Sequence, residues 1–210
     1  MKRIYFILAI ITFSFSNINT NAQTYFGFKV GANLANINGD NTLKGIKPAM
    51  HVGGIAEIIM SDFISIQPEL LYSMQGSQKK MNLEEYKIGI GEMPRPQDED
   101  IDVSIKNNNH YIILPIMVRY FVTEAISIDA GPQLGYLLFA KTSNGSQEWT
   151  DNKEFYNTFD YGFNLGGSYE FDNGMNINIR YNYGFAKVFK TDSLKSNNSN
   201  IQISLGYKFY

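Results

Sequence analysis

Cysteine is absent from this chain of 210 residues, which excludes a disulfide framework, a thiolate nucleophile and a lipid anchor on an N-terminal cysteine. Histidine occurs only at His51 and His110, and tryptophan only at Trp149, so the side chains from which metal centres and catalytic relays are most often built are scarce. There is no basic excess either: Lys and Arg number 18 against 20 Asp and Glu, and nucleic acid is therefore not an expected partner. Long apolar runs are missing too, since the longest, from Ile4 to Phe15, is about 12 residues where a spanning helix needs ~20.

That one run has another use. Lys2 and Arg3 precede it and Thr20-Asn21-Ala22 follows, the layout of a secretory signal peptide over residues 1–22 cut after Ala22. Residues 23–210 then make one exported domain, and if it enters a membrane it does so with strands.

What the chain has in abundance is alternation. Apolar and polar residues exchange with period two over residues 24–37, 48–60, 63–76, 109–122, 125–140, 158–170, 175–188 and 199–210. Each stretch suffices for a tilted strand crossing a bilayer, which needs ~9–11 residues. The connections alternate as well. Met60-Ser61-Asp62, Val122-Thr123-Glu124 and Asp172-Asn173-Gly174 are tight turns, while 38–47, 77–108, 141–157 and 189–198 are longer polar loops. Short turns on one side and long loops on the other describe an all-β fold, an eight-stranded antiparallel up-and-down transmembrane β-barrel of the outer membrane.

Parity sorts the strands into faces. Ile201, Ile203, Leu205, Tyr207 and Phe209 oppose Gln202, Ser204, Gly206 and Lys208, and Met175, Ile177, Ile179, Tyr181 and Tyr183 oppose Asn176, Asn178, Arg180 and Asn182. The second and fourth strands are less clean, because Ile55, Ile59 and Met117 fall on the polar face. A soluble lipocalin-like binder would turn the apolar face inward and a membrane barrel turns it to lipid. The polar faces are rich in glycine, from Gly27 and Gly31 to Gly184 and Gly206, where a solvated face would carry Lys and Glu; this favours the membrane barrel. Aromatics gather near both strand ends, as an interface selects. Pro68, Pro115 and Pro132 fall inside strands and each removes a ladder donor; pairing about Thr123 would set Pro115 opposite Gly131. On these faces Ile203→Arg is expected to harm the fold and Ser204→Arg to be the milder change.

The polar parity directs eight ionisable groups inward: Lys29, Glu57, Glu69, Arg119, Asp129, Glu170, Arg180 and Lys208. Charges in a narrow interior must pair or lose ionisation, so this balanced set is expected to form a structural network plugging the lumen. A narrow conducting channel is the alternative use. Hydrolysis or acyl transfer at the rim would draw on His51 or His110 with Ser73, Ser77 or Asp151, but no spacing fixes such a relay, and neither a catalytic site nor a metal or cofactor is expected. Asp98-Glu99-Asp100 with Asp102, in the long loop, reads as a solvated acidic stretch more readily than as a cation site.

Three segments carry a family resemblance: Ile66-Gln67-Pro68-Glu69-Leu70-Leu71-Tyr72-Ser73, Leu114-Pro115-Ile116-Met117-Val118-Arg119-Tyr120, and Ala130-Gly131-Pro132-Gln133-Leu134-Gly135-Tyr136-Leu137-Leu138. They resemble the outer-membrane β-barrel domain family of Bacteroidetes that includes PorT-type proteins, and the similarity extends to Gly27–Asn33 and to Leu205–Phe209. The resemblance implies a small barrel of the OmpA-like or OmpX-like kind and strand prolines that belong to the family pattern. The closing aromatic of that pattern matches Phe209, so Tyr210 lies one residue beyond it. No catalytic residues come with it. The implied partners are outer-membrane lipid, the barrel-assembly machinery through Ile203, Leu205, Tyr207, Phe209 and Tyr210, and envelope or type IX secretion and gliding proteins, with the barrel itself a monomer.

Overall fold

The structure is a computed structural model that describes residues 23–39, 45–81, 103–144, 149–191 and 196–209. The expected signal peptide, Tyr210 and the acidic stretch around Asp98–Asp102 lie outside the described residues. Among the described residues there are nine strands: β1 (Thr24–Gly39), β2 (Lys47–Ser61), β3 (Ile64–Met81), β4 (Val103–Phe121), β5 (Ile126–Asn144), β6 (Thr150–Asp151), β7 (Phe159–Glu170), β8 (Met175–Lys187) and β9 (Ser196–Phe209). All but β6 form the wall, each antiparallel to its neighbours, and the ring is completed by β4 against β5 on one side and β1 against β9 on the other. β6 is a two-residue ribbon on the outer part of β5.

Turn chemistry fixes the strand pairs at one end. Gly174 takes φ 85°, open to glycine, after Asn173, whose side chain accepts the Met175 N–H at 3.1 Å. Thr123 Oγ1 accepts the N–H groups of Ala125 (3.3 Å) and Ile126 (3.0 Å), so the β4–β5 turn is wider than the tripeptide suggests. That widening corrects the register. Pro115 pairs with Gln133, not Gly131, a two-residue shift that leaves the faces unchanged. The ladder still lapses at the prolines: pairing stops at Pro115–Gln133 and resumes at Val118–Ala130, and on the other side it lapses between Pro68–Ile116 and Leu71–Ile113.

The apolar faces point outward. Phe26, Leu70, Leu134, Leu165, Ile179 and Ile203 are among the most exposed side chains, whereas Lys29, Glu69, Arg119 and Arg180 are buried. A soluble lipocalin-like arrangement would be the reverse, so the faces decide for a barrel set in lipid. Gly131 shows why the inner wall needs glycine: a Cβ there would lie 1.9 Å from the Ile116 carbonyl oxygen. Ile203, halfway along the lipid face of β9, is the place to test the orientation. Replacing it with Arg is expected to destabilise the barrel by about 2–4 kcal/mol in a refolding titration into lipid vesicles, and an unchanged midpoint would mean this face does not meet lipid.

Ser204→Arg is not the mild change the parity suggests. Ser204 is only 2% exposed and its hydroxyl bonds His51, so the polar side of the wall is as crowded as a core. The outer ends also differ from expectation. β3 runs to Met81 and β4 starts at Val103, so the two ends of the expected 77–108 loop are a paired ribbon, from Ser77–Asn107 to Met81–Val103. At 18 and 19 residues these strands exceed what a bilayer needs and carry the ribbon beyond it.

Candidate functional site

The lumen holds most of the chemistry of this chain, and parity places its residues. Lys29 and Asn33 come from β1, His51 and Glu57 from β2, Gln67 and Glu69 from β3, Arg119 from β4, Asp129 from β5, Glu170 from β7, Arg180 from β8, and Ser204 and Lys208 from β9. Seven of the eight expected charges are at most 2% exposed, and Glu170, at the turn end, has 12% of its side chain accessible.

They fall into two layers. Nearest the turns, Arg119 donates through Nη1 to Glu57 at 2.7 Å and to Glu170 at 3.4 Å, and through Nε to Asp129 at 3.3 Å. Lys208 donates to Glu57 and Glu170. Ser65 donates to Glu57 at 2.6 Å, and Ser127 (2.7 Å), Asn178 (3.0 Å) and Ser168 donate to Asp129. In the second layer Glu69 receives Lys29 Nζ at 2.7 Å and both terminal nitrogens of Arg180 at 3.0 and 2.8 Å. The first layer has three carboxylates to two cations and the second two cations to one carboxylate, so the layers carry opposite unit excesses. Gln67 joins them, donating to Glu69 at 2.7 Å and accepting from Arg119 at 3.2 Å.

Above Glu69, the structure brings together three residues that sequence reasoning did not group. His51 Nδ1 lies 2.7 Å from Asn33 Oδ1 and Nε2 lies 2.8 Å from Ser204 Oγ. An amide oxygen only accepts, so Nδ1 carries the proton and Nε2 accepts from the serine hydroxyl. This is the order of a hydrolytic triad, Ser–His–Asn, but all three side chains are buried, and the inner wall at Gly31 stands in contact distance of the imidazole. A carbonyl substrate has no way to Ser204 Oγ, and the arrangement acts as a crosslink among β1, β2 and β9. The two histidines are therefore not together at the outer rim: His51 faces the lumen, while His110 faces outward, its Nδ1 2.5 Å from Tyr72 Oη and its ring 5.5 Å from Phe139. Of the partners weighed for them, Ser73 and Ser77 face inward and Asp151 lies on β6.

Toward the loops the lumen mixes buried Asn and Gln side chains, among them Asn109, Gln133, Asn164 and Asn182, with apolar ones. Ile37, Leu71, Tyr111, Ile113, Leu137, Ala140, Tyr156 and Val188 form one buried cluster, with Phe189 packed on it. A bulge between His110 and Tyr111 leaves Leu138 unpaired and turns Phe139 outward and Ala140 inward, the reverse of strict alternation from Leu134. Two inward charges were also overlooked. Lys47 stood just outside the expected strand; its ammonium donates to the carbonyls of Asn107 (2.8 Å) and Gln75 (3.2 Å) and to the Asn108 side chain. Asp160 shares the parity of Glu170 and accepts from Asn198 at 2.8 Å. At the turn end a mouth of about 380 Å³ opens between Tyr25, Asp62, Glu124 and Glu170 and stops at Glu57 and Lys208. Among the described residues no group of three His, Asp or Glu is placed to hold a metal ion.

The sequence pattern of the outer membrane protein beta-barrel domain matches residues 15–190, ending just before the strand that closes the ring. By fold, the chain is similar to the attachment invasion locus protein Ail of Yersinia pestis, solved in complex with the heparin analogue sucrose octasulfate: TM-score 0.50, 12% identity, 89% of this chain and 99% of that one. It is also similar to Neisserial surface protein A, with TM-score 0.48, 14% identity and 90% and 100% of the two chains covered. No curated protein matches the chain by sequence.

Proposed function

From the premise that the chain belongs to the outer membrane protein beta-barrel domain family, and so is an integral β-barrel of the outer membrane, we propose that it is a non-enzymatic, non-conducting barrel with a structural or surface-interaction role. The observation that carries this reading is the double closure of the lumen. Two ion-pair layers fill the turn half, and the apolar cluster around Leu71 and Tyr111 packs together with buried Asn and Gln side chains in the loop half. An eight-stranded wall encloses little more than its own side chains need. With the interior occupied, a partner can be met only by lipid-facing strands, the β3–β4 ribbon and the loops. The eight lumen charges serve the fold, and the aromatic-ended face of β9 serves as the assembly strand read by the barrel-assembly machinery.

Planar-bilayer recording of the purified barrel tests it. The expected trace is flat at low voltage, and stable, ion-selective openings would replace this reading with that of a narrow channel.

A second reading makes the barrel an accessory of a type IX secretion or gliding apparatus. It is supported by the PorT-type resemblance of the segments at Ile66–Ser73, Leu114–Tyr120 and Ala130–Tyr136. Deleting the gene and comparing secreted with periplasmic protein separates the two: cargo trapped in the periplasm favours the accessory, an unchanged secretome the structural or surface role.

A further inference from the structure

Asp160 lies outside both ion-pair layers. It sits near the start of β7, 8% exposed, and glycines on the flanking strands make room for it: a Cβ at Gly135 would stand 3.3 Å from Asp160 Cβ, and one at Gly184 would stand 3.2 Å from Oδ1. Asn198 donates to Oδ2 at 2.8 Å, while Oδ1 has no hydrogen-bond partner. Among the described residues no Lys, Arg or His is paired with this carboxylate. Lys47, also a charge of the loop half, stands on β2, across the ring from β7, and its ammonium is held by the carbonyls of Asn107 and Gln75. The two layers nearer the turns carry opposite unit excesses and balance each other, so neither compensates Asp160.

Three amides gather beside the same glycines. Tyr183 pairs with Ser199, which sets Asn198 next to Gly184 on the inner face, and a Cβ at Gly184 would lie 3.4 Å from Asn198 Cβ. One inward step toward the turns, Asn182 pairs with Asn200. The Asn198 nitrogen is spent on Asp160 and on Tyr111 Oη at 3.3 Å, and the Asn182 nitrogen on Asn164 Oδ1 at 3.1 Å. A carboxylate only accepts, so Asn198 presents its nitrogen to Asp160 and keeps its oxygen free. The Oδ1 atoms of Asn182 and Asn198 and both amide atoms of Asn200 have no partner, and all three residues are at most 2% exposed. Four unpartnered oxygens, one of them charged, therefore border a stretch of inner wall that the Gly162–Gly184 pair leaves bare.

We propose that Asp160 Oδ1 and the amide oxygens of Asn182, Asn198 and Asn200 bind an alkali-metal cation in the loop half of the lumen. Carboxylate and amide oxygens suit hard cations. One carboxylate among neutral oxygens balances a single positive charge, whereas a divalent ion would leave a net charge in the interior, the very cost the ion removes. Water would satisfy the amides and leave the carboxylate without a counter-charge. The cation ties β7 to β8 and β9 at the level where the β8–β9 ladder lapses, between Tyr183 and Lys187. The site is independent of what the barrel meets at its surface, so it stands or falls apart from the structural or surface role.

Urea unfolding of the barrel in lipid vesicles, in sodium, potassium or choline chloride at one ionic strength, tests it. The folded-to-unfolded ratio of the native barrel is expected to rise in proportion to sodium or potassium, about tenfold for each tenfold of the ion once the site is mostly filled, and not with choline; whichever ion acts identifies the occupant. Asp160→Asn keeps the amide oxygens, removes the charge and is expected to abolish the dependence. Equal stability of the native barrel in all three salts, or a dependence that survives in Asp160→Asn, overturns the proposal. So does an infrared carboxylic-acid band that Asp160→Asn removes, since a proton would then stand in the cation's place. Should the variant not fold, equilibrium dialysis of the native barrel against radioactive sodium and potassium decides: saturable uptake of one ion per barrel is expected, and uptake of neither overturns it.

Discussion

A chain lacking residues 201–210 is expected to yield no folded barrel. β9 is bonded on both sides: Ile201–Phe209 covers nine positions of β1, from Phe26 to Leu34, and seven of β8, from Met175 to Tyr181. Without it those stretches become edges, and each unsatisfied backbone N–H or C=O in hydrocarbon costs several kcal/mol, so the total exceeds any plausible stability of a domain this size. The lumen would suffer too, because losing Lys208 takes a cation from both Glu57 and Glu170, and losing Ser204 leaves His51 Nε2 without its donor. Heat-modifiable mobility and protease resistance after refolding report the outcome. A folded band from the truncated chain would mean that β1 closes on something other than β9.

The wall was legible from alternation because lipid enforces it: wherever one face must be apolar, as along Ile201–Phe209 or Met175–Tyr183, parity reads directly as in or out. The information fails where lipid stops. Ser77, Gln78 and Lys79 on β3 and Lys106–Asn109 on β4 are polar on both faces because both are wet or covered by protein, so nothing in the sequence distinguishes this ribbon from a loop. It fails again inside the upper lumen, where Leu71, Ile113 and Leu137 are apolar though they face inward, and Tyr156 reaches the same cluster from a connection that carries no period. Composition marks the eight charges as partners. It does not divide them into layers, since that division depends on how far each strand is sheared against the next. The Asn33–His51–Ser204 crosslink was out of reach for the same reason: its members lie on three strands and meet only through the β1–β2 and β1–β9 registers.

Glu69→Gln is expected to be the most damaging single substitution in the lumen, costing about 3–5 kcal/mol, as when one partner of a buried ion pair is removed. Glu69 is the sole carboxylate of its layer; neutralising it leaves the buried Lys29 and Arg180 facing each other without a counter-charge, and Gln67 loses its charged acceptor. Glu170→Gln should cost far less, on the order of 1 kcal/mol, because Glu170 stands at the open turn-end mouth and Glu57 and Asp129 still hold Arg119. The triple change K29M/E69L/R180M removes the whole layer at similar volume. It should recover most of the loss, since a desolvated ion triad contributes little beyond well-packed apolar side chains. Denaturant midpoints in lipid vesicles, followed by gel mobility, rank the three. If Glu69→Gln and Glu170→Gln shift the midpoint equally, the two-layer description fails and the lumen is wetter than its packing implies. If the triple variant is no better than Glu69→Gln, the charges do more than balance one another: Arg180 would then be holding the first layer, through its attraction to Asp129, as well as its own.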